Sequence, residues 1–128
     1  MSQSILIIDD DAILAGLLKL TLELEGFSVT LASNGEIGLQ KVKSEQFDLI
    51  LLDLVMPQID GLKFLRLLAN SGVSRPPVMI VSSAIDEVLS DQHRELGVVD
   101  IARKPIEPAQ LVERARRALK ATHAKVQG

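Results

Sequence analysis

Short apolar runs separate longer mixed segments along the chain, and three of them end on polar residues. Residues 5–8 stop at Asp9, Asp10 and Asp11, residues 49–52 at Asp53, and residues 78–81 at the hydroxyl pair Ser82 and Ser83. Runs of this length, apolar without alternation, predict central parallel strands covered on both faces. Residues 27–31 alternate instead, and a brief fifth strand is predicted at 100–103. Helical patterns lie between them. Residues 12–25 carry apolar positions at 14, 17, 18, 21 (through a threonine methyl) and 24, with Gly26 where a helix stops. Asn34 is placed to cap a helix over 35–44 with Ile37, Leu39 and Val42 turned inward, and Gly38 is expected to weaken it modestly. A loop from Val55 to Asp60, which holds Pro57, leads to a helix over 61–70 with Phe64, Leu65, Leu67 and Leu68. SGVSRPP reads as a turn. A more polar helix is predicted over 86–96, stopping at Gly97, and a last one from Pro108, well suited to a first turn, to about Ala121. Strand and helix alternate five times, which predicts an α/β fold: a five-stranded parallel sheet, doubly wound, with five helices on its two faces.

Composition narrows the class. The 128 residues suit one domain spanning 1–128, and no low-complexity linker or repeat divides them. Hydrophobic residues make up 47% but aromatics only 2%, so the core must be built from Leu, Ile, Val and Ala. A formal charge of −3 and the lack of a basic run argue against direct nucleic-acid binding by this segment. Cysteine is absent, which removes disulfides, thiolate metal sites and thiol nucleophiles. The opening MSQSILIIDDD has too short an apolar run for a signal peptide, and no stretch approaches the ~20 apolar residues of a membrane span. A cytoplasmic protein without a membrane association is the expectation.

In open α/β sheets the reactive crevice lies beyond the carboxyl ends of the strands, and that is where Asp53 falls. With strands one, three and four adjacent, Asp9, Asp10 and Asp53 converge with Ser82, and Lys104 reaches in from the fifth strand. Three carboxylates at close range repel one another unless a cation joins them. A hard divalent ion held by carboxylates, a backbone carbonyl and waters fits the preferences of Mg²⁺. Lys104 then balances charge on the other side, Ser82 donates to whatever binds at Asp53, and Asp53 becomes a plausible nucleophile for a phosphoryl group.

Taken together, ILIIDDD, LILLDLVMPQIDG, PVMIVSS and ARKP, in that order and spacing, resemble the response-regulator receiver domain of two-component signalling over nearly the whole chain. The resemblance implies a flavodoxin-like strand order 2-1-3-4-5. It implies Asp53 as phosphoacceptor, Asp10 as direct Mg²⁺ ligand with Asp9 assisting, the Val55 carbonyl as a further ligand, Ser82 as switch hydroxyl and Lys104 as the phosphoryl-contacting lysine. Ser83 takes the small-residue position. The implied function is a switch, not an enzyme. It accepts a phosphoryl group from a histidine kinase or phosphotransfer protein and alters binding to a downstream protein or output domain. The surface of the predicted fourth and fifth helices is the implied docking or homodimer face. One departure stands out: the position three residues before the lysine, often Tyr or Phe in the family, is Ile101, which offers no ring for an aromatic rotamer switch, so coupling must run through Ser82, the loop after it and the helix that follows. Val55 and Ala84 are apolar at positions where the family can carry water-orienting side chains, which predicts slow hydrolysis of the phosphorylated form.

Blander roles compete at each position. Asp9, Asp10 and Asp11 could serve only a helix N-terminus, Ser82 and Ser83 could cap, and Lys104 could be a solvated lysine. Asp60 with Gly61 reads as turn and cap chemistry. His93 and His123 are assigned no role, and Arg114, Arg116, Arg117 and Lys120 read as a solvated helix face. Three other functions stay open. A Mg²⁺-dependent phosphohydrolase with an aspartyl nucleophile would usually show a second acid where Val55 stands. A flavodoxin-like cofactor binder would want a glycine-rich cradle instead of acids. A receiver-like module that signals without phosphorylation is opposed by the intact set of acids, Ser82 and Lys104.

Overall fold

The computed structural model describes residues 2–56, 59–73, 75–84 and 95–127, the side chains of the last segment as far as residue 120. Five strands, β1 (Ser4–Ile8), β2 (Ser28–Ala32), β3 (Leu49–Leu52), β4 (Val78–Ser82) and β5 (Val98–Arg103), form one parallel sheet of order β2-β1-β3-β4-β5. Four helices are described, α1 (Ala12–Leu24), α2 (Gly35–Ser44), α3 (Gly61–Ala69) and α4 (Pro108–Gln127). The helix predicted at 86–96, with His93, falls mostly outside the described residues, as do Pro57 and the His123 side chain; Glu95 to Gly97 form a turn in which Gly97 takes φ 83°.

The apolar strands bury both faces. Ile5, Ile7, Leu49, Leu51, Met79 and Val81 meet α1 and α4 on one side. Leu6, Ile8, Ile50, Leu52, Val78 and Ile80 meet α2 and α3 on the other. Helix starts follow side-chain capping: Asp11, Asn34 and Asp60 accept from Leu14, Ile37 and Lys63 N–H at 3.0, 2.8 and 2.8 Å. Of the three consecutive acids, Asp11 is thus the one that caps, and Asp60 caps as its turn chemistry suggests.

Several sequence expectations need correction. The buried face of α1 is Ala15, Leu18 and Leu22, whereas Leu17 and Leu24 are exposed and Leu14 is half-buried. The helix is apolar nearly all round, so spacing alone could not choose the side that meets the sheet. In α3, Leu67 is exposed as well. Gly38 is no defect of α2: a Cβ there would lie 2.6 Å from Ile8 Cδ1, so its absence lets α2 lie on β1. Arg114 is not simply solvated. It makes a two-pronged pair with Asp100 on β5, at 2.8 Å through Nε and 2.6 Å through a terminal nitrogen, and that nitrogen also donates to the Ile101 carbonyl at 2.8 Å.

Candidate functional site

Strand register creates the site. Ile8 pairs with Leu52 at the ends of β1 and β3, so the next residues, Asp9 and Asp53, emerge side by side. The Asp53 N–H donates to the Ile8 carbonyl at 3.0 Å and the Asp9 N–H to the Ala32 carbonyl at 3.1 Å, which anchors both acids by their backbones. One strand over, Ser82 closes β4 opposite Arg103, and the Lys104 N–H donates to the Ser82 carbonyl at 3.0 Å. Four ends of adjacent parallel strands therefore deliver Asp9, Asp53, Ser82 and Lys104 to one rim.

The side chains close on one another there. Ser82 Oγ, fully buried, donates to Asp53 Oδ1 at 2.7 Å, and the Val55 N–H donates to the same oxygen at 3.2 Å. Lys104 Nζ lies 2.8 Å from Asp9 Oδ2 and 3.3 Å from Asp53 Oδ2. Asp9 Oδ1 accepts from the Asp11 N–H at 2.9 Å, and Ser82 Oγ accepts from the Ala84 N–H at 3.2 Å. Asp9 and Asp53 are buried, while Asp10 is exposed at the opening; Val55 and Ser83 are also exposed.

Burial pushes the Asp9 carboxyl above its ordinary value. The Lys104 hydrogen bond, the Asp11 N–H and the Lys104 charge oppose that rise without cancelling it, and the Asp53 charge adds to it. For Lys104 the balance falls the other way. Burial pulls the ammonium down, but the Asp9 hydrogen bond and the charges of Asp9 and Asp53 more than offset it and hold it above its ordinary value. The site thus has one firmly charged cation facing three acids.

The donor set suits a hard cation. Asp9, Asp10 and Asp53 each offer a carboxylate oxygen, and these oxygens lie within 4.8 Å of one another. Opposite ligands on an octahedral ion with bonds of about 2.1 Å stand about 4.2 Å apart, so the spacing leaves room for one such ion after small side-chain adjustments. Among the described residues Lys104 is the cation paired with these acids, which leaves negative charge in excess. This chemistry favours a divalent, oxygen-seeking metal.

Ile101 lies away from the acids. Its side chain packs against the α2 and α3 core, its N–H donates to Asp100 Oδ1 at 2.8 Å, and its carbonyl is held by Arg114. The clamp by Arg114 escaped the sequence reading, because a strand acid and a helix arginine 14 residues apart share no local spacing rule. Its guanidinium is raised above its ordinary value by the Asp100 hydrogen bond, against the opposing effect of burial.

Residues 5–116 match the sequence profile of the response regulator receiver domain. The chain is 38% identical over 121 residues to the DNA-binding response regulator MtrA of Mycolicibacterium paratuberculosis, covering 94% of this chain and 52% of that protein. It is 37% identical over 116 residues to the transcriptional regulatory protein CpxR homolog of Haemophilus influenzae, covering 91% and 50%. The chain thus spans about half the length of the curated relatives it matches. Among solved structures, a CheY-like response regulator receiver domain protein from Methanospirillum hungatei superposes with a TM-score of 0.88 at 27% identity, covering 98% of this chain and 99% of that one. No helix among the described residues is long and apolar enough to cross a membrane.

Proposed function

From the premise that this chain belongs to the response regulator receiver domain family, we propose that Asp53 is its phosphoacceptor, served by Mg²⁺, Ser82 and Lys104. As a family member it is a phosphorylation-dependent signalling module of two-component regulation, not an enzyme. One observation carries the assignment of Asp53. Its buried carboxylate accepts from Ser82 on one oxygen and contacts Lys104 on the other, with two further acids within metal-sharing distance.

In this reading the whole chain, 1–128, is one receiver unit. Asp9, Asp10, Asp53 and the Val55 carbonyl hold Mg²⁺, which supplies neutralisation of charge on the transferring phosphoryl oxygens. An Asp53 carboxylate oxygen attacks phosphorus. The new P–O bond forms as the P–N bond of a phosphohistidine breaks, and the departing imidazole keeps the electron pair and takes a proton from solvent. Lys104, held charged, balances the dianionic product, and Ser82 transfers its hydrogen bond from the carboxylate to a phosphoryl oxygen. Ile101, with no ring to rotate, leaves Ser82 and the loop after it as the route of coupling.

The donor is a histidine kinase or phosphotransfer protein in the cytoplasm, and the response is altered binding to a downstream protein or output domain. Two of the relatives are named as DNA-binding or transcriptional regulators. For this acidic segment itself direct nucleic-acid contact is not part of the reading. The docking or homodimer face that family membership suggests is that of the fourth and fifth helices predicted from the sequence, the fourth of which lies mostly outside the described residues. Apolar Val55 and Ala84 leave no side chain to orient an attacking water, so the phosphorylated form is long-lived; Val55→Asn with Ala84→Glu should shorten its lifetime.

The test is intact-mass measurement after incubation with acetyl phosphate, with and without Mg²⁺. One phosphoryl group should add to the wild type only with Mg²⁺, and none to Asp53→Ala or the isosteric Asp53→Asn. Repeated turnover of phosphate esters, or labelling that survives both substitutions, would overturn the proposal.

A further inference from the structure

β5 carries one residue more than its partner strand. Its pairing with β4 runs Val78 to Val98 and then Met79 to Asp100, so Val99, which is exposed, has no counterpart in the ladder. The pleat breaks at the same place. In an unbroken strand alternate residues share a face, yet Val98 and Ile101, three apart, both pack on the α2 and α3 side, whereas Ala102 lies on the α1 and α4 side.

That extra residue decides which cation reaches the acids. Without the bulge Ser82 would stand opposite Ala102, Arg103 would come next at the rim, and Asp100 would turn into the apolar layer beneath α2 and α3. With it, Ser82 stands opposite Arg103 and Lys104 comes next, 2.8 Å from Asp9 and 3.3 Å from Asp53. β5 is an edge strand, so a ladder on one side alone holds this register.

The pair that closes on the bulge is Asp100 with Arg114. Arg114 Nε donates to Asp100 Oδ2 at 2.8 Å, and a terminal nitrogen donates to Oδ1 at 2.6 Å and to the Ile101 carbonyl at 2.8 Å. Asp100 Oδ1 also accepts from the Ile101 N–H at 2.8 Å. Both peptide groups of the residue just past the bulge are thereby fixed to α4. That helix is a firm reference, since Leu111, Ala115 and Ala118 on it are buried against the sheet. The hold needs a planar fork with a donor to spare, which arginine supplies and lysine does not.

We propose that Asp100 and Arg114 are positioning residues: their clamp locks the bulged register of β5 and so presents Lys104, not Arg103, to Asp9 and Asp53. The clamp works at a distance, four residues or about 13 Å along the strand from Lys104 at 3.3 Å per residue. What Lys104 is presented for rests on the reading of Asp53 as phosphoacceptor, whereas the register itself does not.

Amide hydrogen exchange read residue by residue by NMR tests the register, and labelling by acetyl phosphate tests its use. In Arg114→Met the Ile101 and Lys104 amides should exchange at least about tenfold faster, while the Asp53 amide, bonded to the Ile8 carbonyl, stays as protected as in the wild type. Labelling at saturating Mg²⁺ should slow about ten- to a hundredfold. The Mg²⁺ dissociation constant, read by calorimetry, should not move, because Asp9, Asp10 and Asp53 follow β1 and β3; a general loosening of the fold would shift both. Arg114→Lys, which keeps the charge without the fork, should recover part of the rate. Asp100→Asn, a milder change, should act in the same direction and replaces Arg114→Met if that variant folds poorly. In a Lys104→Met background, Arg114→Met should slow labelling no further, and effects that multiply would overturn the link to Lys104. Wild-type exchange at both β5 amides in Arg114→Met would overturn the clamp. A wild type that takes no label would overturn the assignment of Asp53 instead and leave the exchange result to decide the register.

Discussion

The Ser82 hydroxyl donates directly to Asp53 Oδ1, at 2.7 Å across two adjacent strands and with no accessible surface on the serine. The hydroxyl proposed as the switch therefore starts on the carboxylate itself. In the phosphorylation proposed for Asp53, the donor has only to follow the new oxygens. The Ala84 N–H donates to the same hydroxyl and links the site to the loop beyond β4.

Replacing Ser82 with Ala should expose the value of that bond. Asp53 Oδ1 would retain only the Val55 N–H at 3.2 Å. A hydrogen bond to a charged group is worth about 1.5–3 kcal/mol, and urea denaturation should record a loss in that range, with Ser82→Thr recovering most of it. An unchanged denaturation midpoint would show that the hydroxyl contributes nothing to the resting site.

Lys104→Met removes the cation shared by Asp9 and Asp53. The loss of metal-free stability should be about 2–3 kcal/mol, below the range for fully buried pairs because the site opens to water at Asp10. Lys104 also competes with a metal for the oxygens it touches, so added Mg²⁺ should raise the melting temperature more in the variant than in the wild type. The pH dependence has a definite sign. Because the ammonium is held above its ordinary 10.5, its contribution is complete below that value and is lost as pH rises through the folded-state pKa. The wild type should therefore lose stability above about pH 10.5 by a step that Lys104→Met lacks; parallel melting curves for the two proteins across that range would refute this.

Asp10 differs from Asp9 and Asp53 in being exposed and, among the described residues, without an ion pair. Asp10→Asn should leave metal-free stability within about 0.5 kcal/mol. A metal that binds only the folded state stabilises it by about 2.7 kcal/mol at a hundred times its dissociation constant. Most of that gain should vanish in the variant at matched Mg²⁺. Equal Mg²⁺-induced melting shifts in the two proteins would remove Asp10 from the ligand set.

Much of this site was legible because acids and hydroxyls stand where apolar runs stop, and a parallel sheet places strand ends together. The caps at Asn34 and Asp60 were legible for a similar reason, since capping is set by the few residues that follow. What stayed hidden depends on partners remote in sequence. Leu22 is buried and Leu24 exposed on a helix apolar on nearly every side, and only the sheet decides between them. Arg114 finds Asp100 across an element boundary. Gly38 looks like a local weakness until Ile8 is seen against it.

Gly61 belongs with Gly38 and bears more directly on the site. A Cβ at this position would lie 2.7 Å from both the Asp53 carbonyl oxygen and the Leu54 Cα, backbone atoms that cannot swing aside. The Gly61 N–H also donates to the Leu54 carbonyl at 3.1 Å, tying the start of α3 to the segment that carries Asp53. Gly61→Ala must therefore push the α3 terminus away from the end of β3, at a cost of about 1–3 kcal/mol typical of overpacking. The displacement falls on Asp53 and on the Val55 N–H that supports it, so labelling by acetyl phosphate should slow even where the variant is fully folded. Gly16→Ala, where the space is open, serves as the control and should be stabilised by up to about 1 kcal/mol with labelling unchanged. Equal labelling rates for the two variants would show that the close approach of Gly61 does not position the acid.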